Sequence, residues 1–238
     1  TYSSSGTYVV KINSNSGTYR PYFNNSTDED QIISVAIGIE SSSNSTGFGN
    51  NIERAFRHAQ NMTKYNQVSA ATSSVSDFER TWQNCSGLTS FPLIDTSSAT
   101  VLEGTWIDCT GLTTFPLINT SSVTNFINTW RNCPGIGGSF PQIDTSSGTN
   151  FSSTWAGCSG ITTFPLIDTS SGTHFGATWF NNSSLTSFPL INTSSGTNFS
   201  GAWRECSGLT SFPLIDTSSS TTFQSTWRDC SSLTEFPL

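Results

Sequence analysis

Six cysteines are the most reactive side chains in this 238-residue chain, and their spacing follows one rule. Each lies three residues after a tryptophan, and Asn182 takes the same place after Trp179. No Cys-x-x-Cys or Cys/His spacing typical of zinc sites occurs. Equivalent positions on stacked helices would lie about 8 to 10 Å apart, beyond the roughly 7 Å that a disulfide allows. The sequence therefore predicts a column of buried, reduced thiols: Cys85, Cys109, Cys133, Cys158, Cys206 and Cys230.

The two histidines lie outside any catalytic pattern. His174 occupies a position where other units carry Asn, and His58 lies in a short basic stretch. A catalytic histidine needs a nucleophile and an orienting acid beside it, and the sequence places neither there. We therefore expect no catalytic residue and no enzymatic activity.

A regular column of Asp and Asn is the remaining candidate for chemistry. The mixture of the two residue types favours a turn in which the side chain accepts hydrogen bonds from backbone amides. A Ca²⁺ column is the alternative, since oxygen ligands are plentiful. We expect no cofactor and no resident metal. The column consists of Asp95, Asn119, Asp144, Asp168, Asn192 and Asp216.

Composition excludes several classes of protein. Serine and threonine make up 78 of 238 residues, yet charged residues are only 11% and there are 7 Trp and 17 Phe. A disordered chain would be rich in charge and poor in aromatics. Nine basic residues form no stripe that would neutralise phosphates, and no apolar run approaches the roughly 18 residues of a membrane span. We therefore expect no nucleic-acid partner and no membrane-spanning segment.

The tryptophans mark an internal repeat, with intervals of 24, 24, 25, 24, 24 and 24 residues between Trp82 and Trp227. Within a unit, Phe78, Trp82 and Cys85 have the i, i+4, i+7 spacing of one helical face. A hydroxyl residue two positions before each such Phe is a predicted N-cap, and Glu79 and Glu103 complete capping boxes. The glycine two positions after most of the cysteines, replaced by serine at Ser184 and Ser232, is the predicted left-handed helix end.

A short strand is predicted after each helix. Leu88, Phe91 and Leu93 form an L-x-x-F-x-L pattern whose large side chains are expected to point inward. A strand and a helix every 24 residues predict a right-handed, leucine-rich-repeat-like α/β solenoid, in which each unit buries its apolar face against its neighbours.

The sequence "CSGLTSFPLIDTSS", which occurs at residues 85–98 and again at 206–219, resembles the BspA-like leucine-rich repeats of microbial surface proteins. The resemblance covers roughly residues 50–238 and rests on the repeated Cys-x-x-Leu-Thr-x-aromatic and Asp-Thr-Ser-Ser columns. It implies exposure on a cell or virion surface, adhesion, or a part of a phage fibre. The chain departs from that pattern by the Pro after each strand Phe and by its Trp.

Two regions are predicted. Residues 1–49 contain four of the five tyrosines and read as a small β segment that could donate a strand to another subunit. Residues 50–238 form the repeat region, and 50–70 are a degenerate N-terminal capping repeat. There Ile52, Phe56, Ala59, Met62, Tyr65 and Val68 match the apolar columns of the later units. Because Thr1 is not Met, we expect a processed or incomplete chain.

The predicted function is that of a non-enzymatic, extracellular, glycosylated fibre or filament subunit. The last strand has no following helix, so Leu233, Phe236 and Leu238 are predicted as an apolar assembly edge that pairs head to tail with another copy. The alternative is an adhesin or phage receptor-binding fibre segment that binds a cell-surface glycan or protein. Its contacts are expected where units differ, at Phe180, Arg204 and Arg228.

The exposed surface offers glycosylation sites and a regular array of hydroxyls. Thr89, Ser90 and Pro92 have near-identical equivalents in most units, so this face is a uniform strip. We expect a passive or glycosylated surface, a lateral packing surface, or a Thr array that binds ice or a polysaccharide. The candidate glycosylation sites, each in an Asn-x-Ser/Thr sequence, include Asn44, Asn61, Asn119, Asn150, Asn192 and Asn198.

Overall fold

The computed structural model describes residues 34–37, 51–67 and 72–236, and none of these residues forms a helix. The strands are β1 Ser34–Ile37, β2 Lys64–Gln67, β3 Gly138–Ser139 and β4 Ile161–Thr163. They pair in parallel as β1–β2 and β3–β4, each a two-stranded sheet. The predicted leucine-rich-repeat-like α/β solenoid of strand-plus-helix units is therefore wrong.

The repeats instead build a helix-free stack of parallel coils. Single β-bridges join equivalent residues of successive coils, as in Asp77 to Val101 and Val101 to Asn125. Between bridges, every second amide donates to the next coil, as from Phe78 to Val101 at 3.1 Å. Coils linked in this way rise by about 4.8 Å, the spacing of neighbouring strands. Each coil is thus hydrogen-bonded to its neighbours in the way that a strand is within a parallel sheet.

Left-handed residues explain why the helical spacing does not make a helix. Arg80 has φ 52° and Asn84 has φ 61°, values that stop an α-helix after one turn. Each of these residues lies in a tight turn, with Thr81 N donating to the Phe78 carbonyl at 3.1 Å and Cys85 N donating to the Trp82 carbonyl at 3.2 Å. These turns recur every four residues, so residues at i and i+4 both face inward. The apolar period of a helix therefore arises here from consecutive tight turns.

The glycine that was predicted to end each helix has a different role. The φ of Gly111 does not lie in the left-handed region. A Cβ built on Gly111 would lie 2.4 Å from the Ser86 carbonyl oxygen of the preceding coil. Glycine is favoured there because the backbones of two coils approach closely, although Ser184 shows that the same column also accepts a side chain.

The predicted helix caps also serve contacts between coils. The Thr100 hydroxyl donates to the Ser76 carbonyl of the preceding coil at 3.3 Å, and equivalent hydroxyls repeat this bond along the stack. Glu79 and Glu103 are not capping-box residues. They form ion pairs across coils, with Arg54 at 3.1 Å and Arg80 at 3.5 Å respectively.

Aromatic columns fill the centre of the stack. Trp82 stacks on Trp106 with ring centroids 5.6 Å apart and an interplanar angle of 6°. Phe91 stands edge-on between these two indoles, at 4.8 and 5.1 Å. Each such aromatic pair contributes roughly 0.5–1.5 kcal/mol beyond the burial of its area. The same arrangement continues through every later coil.

The first described coil extends these columns as the alignment predicted. Phe56 stacks on Trp82 at 6.1 Å, and Tyr65 stacks on Phe91 at 5.6 Å. Val68 lies outside the described residues. Of the predicted N-terminal β segment only Ser34–Ile37 is described, and it pairs with Lys64–Gln67 of the same chain. The division at residue 49 stays a prediction.

Two columns of buried threonines, which the sequence pattern did not predict, connect neighbouring coils by hydrogen bonds. The Thr81 hydroxyl donates to the Ile52 carbonyl of the preceding coil at 3.0 Å, and the Thr72 hydroxyl donates to the Asp95 carbonyl of the following coil at 2.6 Å. The first bond recurs at Thr105, Thr129, Thr154, Thr178 and Thr226, whereas alanine occupies this column at Ala55 and Ala202. The second bond recurs at Thr96, Thr120, Thr145, Thr169 and Thr193. Hydroxyl side chains therefore form hydrogen bonds between coils in the core as well as on the surface.

Candidate functional surfaces

The six cysteines are free thiols and all are buried. Each donates to the carbonyl oxygen of a residue in the preceding coil, as Cys109 does to Trp82 at 3.1 Å. Burial raises the pKa of Cys109, Cys158 and Cys206 to about 12. The prediction of buried reduced thiols is confirmed, but the distance on which it was based is wrong. Coils about 4.8 Å apart are close enough for a disulfide, and the thiols are hydrogen-bonded to carbonyls instead.

Asn182 breaks the thiol column. Its side chain is fully buried, yet neither its Nδ2 nor its Oδ1 has a hydrogen-bond partner. The indole Nε1 atoms of the seven tryptophans also lack a nitrogen or oxygen partner. Each indole, however, lies edge-on to a phenylalanine ring, and an aromatic face is a weak acceptor for N–H. Asn182 is therefore the more costly irregularity of the core.

The Asp/Asn column forms backbone-capping turns, as predicted. Asp144 Oδ1 accepts bonds from the Ser146 amide at 3.0 Å and the Ser146 hydroxyl at 2.7 Å. Asn119 makes the same two bonds with Ser121. The serine hydroxyl and amide lower the pKa of Asp144 and of Asp168 below the usual value. These carboxylates are exposed and ionised at neutral pH.

Neither histidine meets a carboxylate or a thiol among its described contacts. His58 Nδ1 lies 2.8 Å from the Asn84 amide, and His174 Nδ1 lies 2.9 Å from the Thr173 hydroxyl. Among residues 34–37, 51–67 and 72–236, no three His, Cys, Asp or Glu side chains are placed to hold a metal ion.

A column of leucines lies on the outside of the stack, one in each of five coils. Leu93 was predicted to point inward, but its side chain is 71% exposed. The inward positions are Phe91 and Ile94, which are 6% and 3% exposed. The equivalents of Leu93 are 57–62% exposed. We call this set the leucine stripe: Leu93, Leu117, Leu166, Leu190 and Leu214.

Gln142 takes the leucine's place in the remaining coil. Its side-chain amide donates to the Leu166 carbonyl of the following coil at 2.9 Å. In the five leucine-bearing coils, a pair of exposed hydroxyl residues precedes the leucine and the Asp/Asn column follows it, whereas the Gln142 coil has Gly138 and Ser139 in place of the pair. The hydroxyl pair equivalent to Thr89 and Ser90 is exposed, as predicted. The leucine stripe therefore runs between a neutral polar border and an acidic border.

The predicted partner contacts lie on the side that carries the tight turns. The Arg204 guanidinium lies 5.5 Å from the centre of the Phe180 ring and also pairs with Glu205 at 2.8 Å. Arg228 is exposed and pairs with Asp229 at 3.3 Å. The structure thus joins Phe180 and Arg204 in one cation–π contact, whereas Arg228 has a separate ion pair.

The predicted glycosylation sites and assembly edge differ in their exposure. Asn61, Asn119 and Asn192 are exposed, whereas Asn150 and Asn198 are half-buried. Asn150 and Asn198 also accept bonds from the backbone amides of Ser152 and Ser200. At the edge, Phe236 is 50% exposed and Leu233 is half-buried against the core. Asn44 and Leu238 lie outside the described residues.

No protein-family model and no curated protein matches this chain. Within the described part of the chain, no helix is long and apolar enough to span a membrane.

Proposed function

We propose that this chain is a non-enzymatic structural protein, a glycosylated subunit of an extracellular fibre or filament. The observation that carries the proposal is the repetition of the contacts between coils. Backbone ladders, hydroxyl ladders and aromatic columns all run along one axis and repeat in every coil. A chain built in this way is stiff along its axis and presents the same surface over its length.

The placement of reactive groups supports a structural role. The thiols are buried and their pKa values are raised, so they are poor nucleophiles. The described Asp residues of the exposed column bond to the turns that they begin. The outer surface is dominated by serine, threonine and leucine, which suits packing and glycan attachment.

Head-to-tail growth is the mode of assembly that we propose. An unpaired backbone edge at an end of such a stack would accept another chain, although β2 in the first described coil already pairs with β1 of the same chain. A contact that joins the end of one copy to the start of the next does not close, so it extends into a filament. Exposed Asn61, Asn119 and Asn192 would carry glycans on the sides of that filament.

Negative-stain electron microscopy of the native protein, paired with its intact mass, tests this proposal. We expect fibres whose subunit mass exceeds the sequence mass of 25.6 kDa by the mass of attached glycans. Discrete particles at high concentration would overturn the filament. A mass equal to that of the sequence would overturn glycosylation.

A binding role is the second candidate, an adhesin or phage receptor-binding fibre segment. It is favoured by the Phe180 and Arg204 pair, since the residue that follows each tryptophan varies among the coils and only one of them carries phenylalanine there. Aromatic and arginine side chains dominate binding energy at protein interfaces. Cell attachment should fall when Phe180, Arg204 and Arg228 are all replaced by alanine. Unchanged attachment would eliminate this candidate.

A further inference from the structure

We propose that the leucine stripe is a lateral contact between two copies of this chain, lying side by side with their stacks parallel and in register. The inference deepens the proposed filament by naming its lateral contact, and it rests on that structural role. The stripe is the largest exposed apolar feature among the described residues. Nothing in the stack requires leucine at these positions, because Phe91, Ile94 and their equivalents already fill the core. Contiguous exposed apolar side chains mark an interaction surface.

The spacing of the leucines favours a second copy as the partner. One leucine per coil gives a repeat of about 4.8 Å along the stack. A partner that packs leucine against leucine over the whole stripe must have the same repeat. A second copy meets this requirement with its own leucine stripe.

Charge determines the relative direction of the two copies. In each coil the leucine has hydroxyl residues on one side and the Asp/Asn column on the other. If the stacks run parallel, related by a two-fold axis along the stack, each acidic column faces the hydroxyl border of the other copy. If they run antiparallel, Asp144 and Asp168 face the acidic column of the other copy, and like charges in apposition are unfavourable.

Gln142 fixes the register. It interrupts the stripe between Leu117 and Leu166, and its amide is held along the stripe by the Leu166 carbonyl. In register, Gln142 of one copy meets Gln142 of the other and every leucine meets a leucine. A shift by one coil places both glutamines against leucines, which buries their side-chain oxygens where no donor of the other copy can reach them.

The size of the face sets the strength of the contact. From the hydroxyl border to the acidic border the face is about 20 Å wide, and its six coils are about 29 Å long. This gives roughly 600 Å² on each copy, at the lower end of specific interfaces. We therefore expect a dimer with a dissociation constant in the micromolar range.

Cysteine cross-linking tests the contact in the full chain. Leu214→Cys should form a disulfide-linked dimer under oxidised glutathione, because parallel, in-register stacks bring the two copies of residue 214 together. The wild-type chain is the first control, since its own thiols are buried and have raised pKa values. Ser122→Cys, an exposed residue of another face, is the matched control, and neither control should cross-link.

A mixture of Leu93→Cys and Leu190→Cys tests the direction. Antiparallel stacks centred on Gln142 would join residue 93 of one copy to residue 190 of the other. We expect only like-with-like disulfides, and a dominant mixed product would overturn the parallel arrangement.

Sedimentation supplies the second measurement. At concentrations below those at which fibres form, the wild-type chain should show a concentration-dependent dimer. Leu166→Ser with Leu190→Ser should weaken this dimer at least tenfold, with an unchanged near-UV circular dichroism spectrum. Ile127→Ser, on the side of the tight turns, should leave the dimer intact. A wild-type chain that stays monomeric at about 100 µM, well above a micromolar dissociation constant, would overturn the contact. A Leu214→Cys variant that stays monomeric under oxidised glutathione would also overturn it. Fibres that form without the Leu214→Cys cross-link would refute the lateral contact and leave the proposed filament standing. Cross-linked dimers that form no fibres would refute the filament and leave the lateral contact standing.

Discussion

Replacing Asn182 by cysteine should stabilise the protein by about 2–4 kcal/mol. In the present chain, the Asn182 amide nitrogen and oxygen are both buried without a partner. Each buried polar group left unpaired costs about 1–3 kcal/mol. A cysteine has a similar size to asparagine. In the next coil, the equivalent thiol of Cys206 donates to the Trp179 carbonyl at 3.0 Å. The new thiol would donate in the same way to the Trp155 carbonyl.

Urea unfolding, followed by tryptophan fluorescence and by near-UV circular dichroism, measures this effect. Coincident transitions from the two signals would justify a single free energy of unfolding. The increase should also appear as a rise in melting temperature of about 4–16 °C, given the size of the stack.

The reverse exchange is the matched control. Cys158→Asn places an amide in the adjacent coil, so it should lose about as much stability as Asn182→Cys gains. A change of less than about 0.5 kcal/mol in Asn182→Cys, the range of an ordinary surface substitution, would refute the reasoning. It would mean that the Asn182 amide finds partners within the core.

Three further predictions follow from the columns of the stack. Ala202→Thr should add about 1 kcal/mol in the same urea assay, because the new hydroxyl would bond to the Phe175 carbonyl as the other threonines of its column do to theirs; a loss would mean that this coil has no room for the side chain. The folded thiols should resist a thiol-exchange reagent at pH 8 and react in denaturant. Because burial raises the pKa of residues such as Cys133, the free energy of unfolding should be constant below about pH 8.5. Above that pH it should fall by up to about 1.4 kcal/mol per thiol per pH unit. Because the pKa of Asp144 is lowered, the carboxylate's contribution to stability is present above about pH 4 and is lost as the pH falls through the folded pKa. Asp144→Asn, which keeps the turn as Asn119 does, should therefore reduce the loss of stability between pH 4 and 2 in urea titrations. The reduction should be small because the carboxylate is exposed.

The repeat and the buried columns could be predicted from the sequence. The regular spacing of Trp and Phe gave the core, and Phe56 and Tyr65 occupy the columns that the alignment assigned to them. The mixture of Asp and Asn correctly indicated turns, since both side chains accept the same amide bond. Each of these inferences depended on comparing equivalent positions rather than on the conformation of a single unit.

The conformation within a unit could not be predicted from apolar spacing alone. A helix and a series of tight turns both bring residues i and i+4 to one side, so the pattern of Phe78 and Trp82 fits either. The distinguishing signal was the residue before each cysteine, a column rich in residues that adopt left-handed backbone readily. Its members are Asn84, Asp108, Asn132, Gly157, Asn181, Glu205 and Asp229, all with positive φ.

The prediction that the Leu93 side chain points inward was wrong for a related reason. In an extended segment, residues alternate between the two faces, so Phe91 and Leu93 would both point inward. Pro92 lies between them, and the chain turns so that Phe91 and Ile94 are buried instead. Knowledge of that bend was required to find the leucine stripe.

The serine and threonine content acquires a physical meaning once the columns are distinguished. Buried threonines such as Thr81 join neighbouring coils, and exposed ones such as Thr100 repeat that bond on the surface. Many of the hydroxyls are therefore needed by the stack itself, and they need no partner molecule to explain them. The leucines of the stripe have no such role within the stack. A protein that uses small polar residues so consistently, and yet keeps a leucine exposed in five of six successive coils, has its apolar surface where a second chain can cover it.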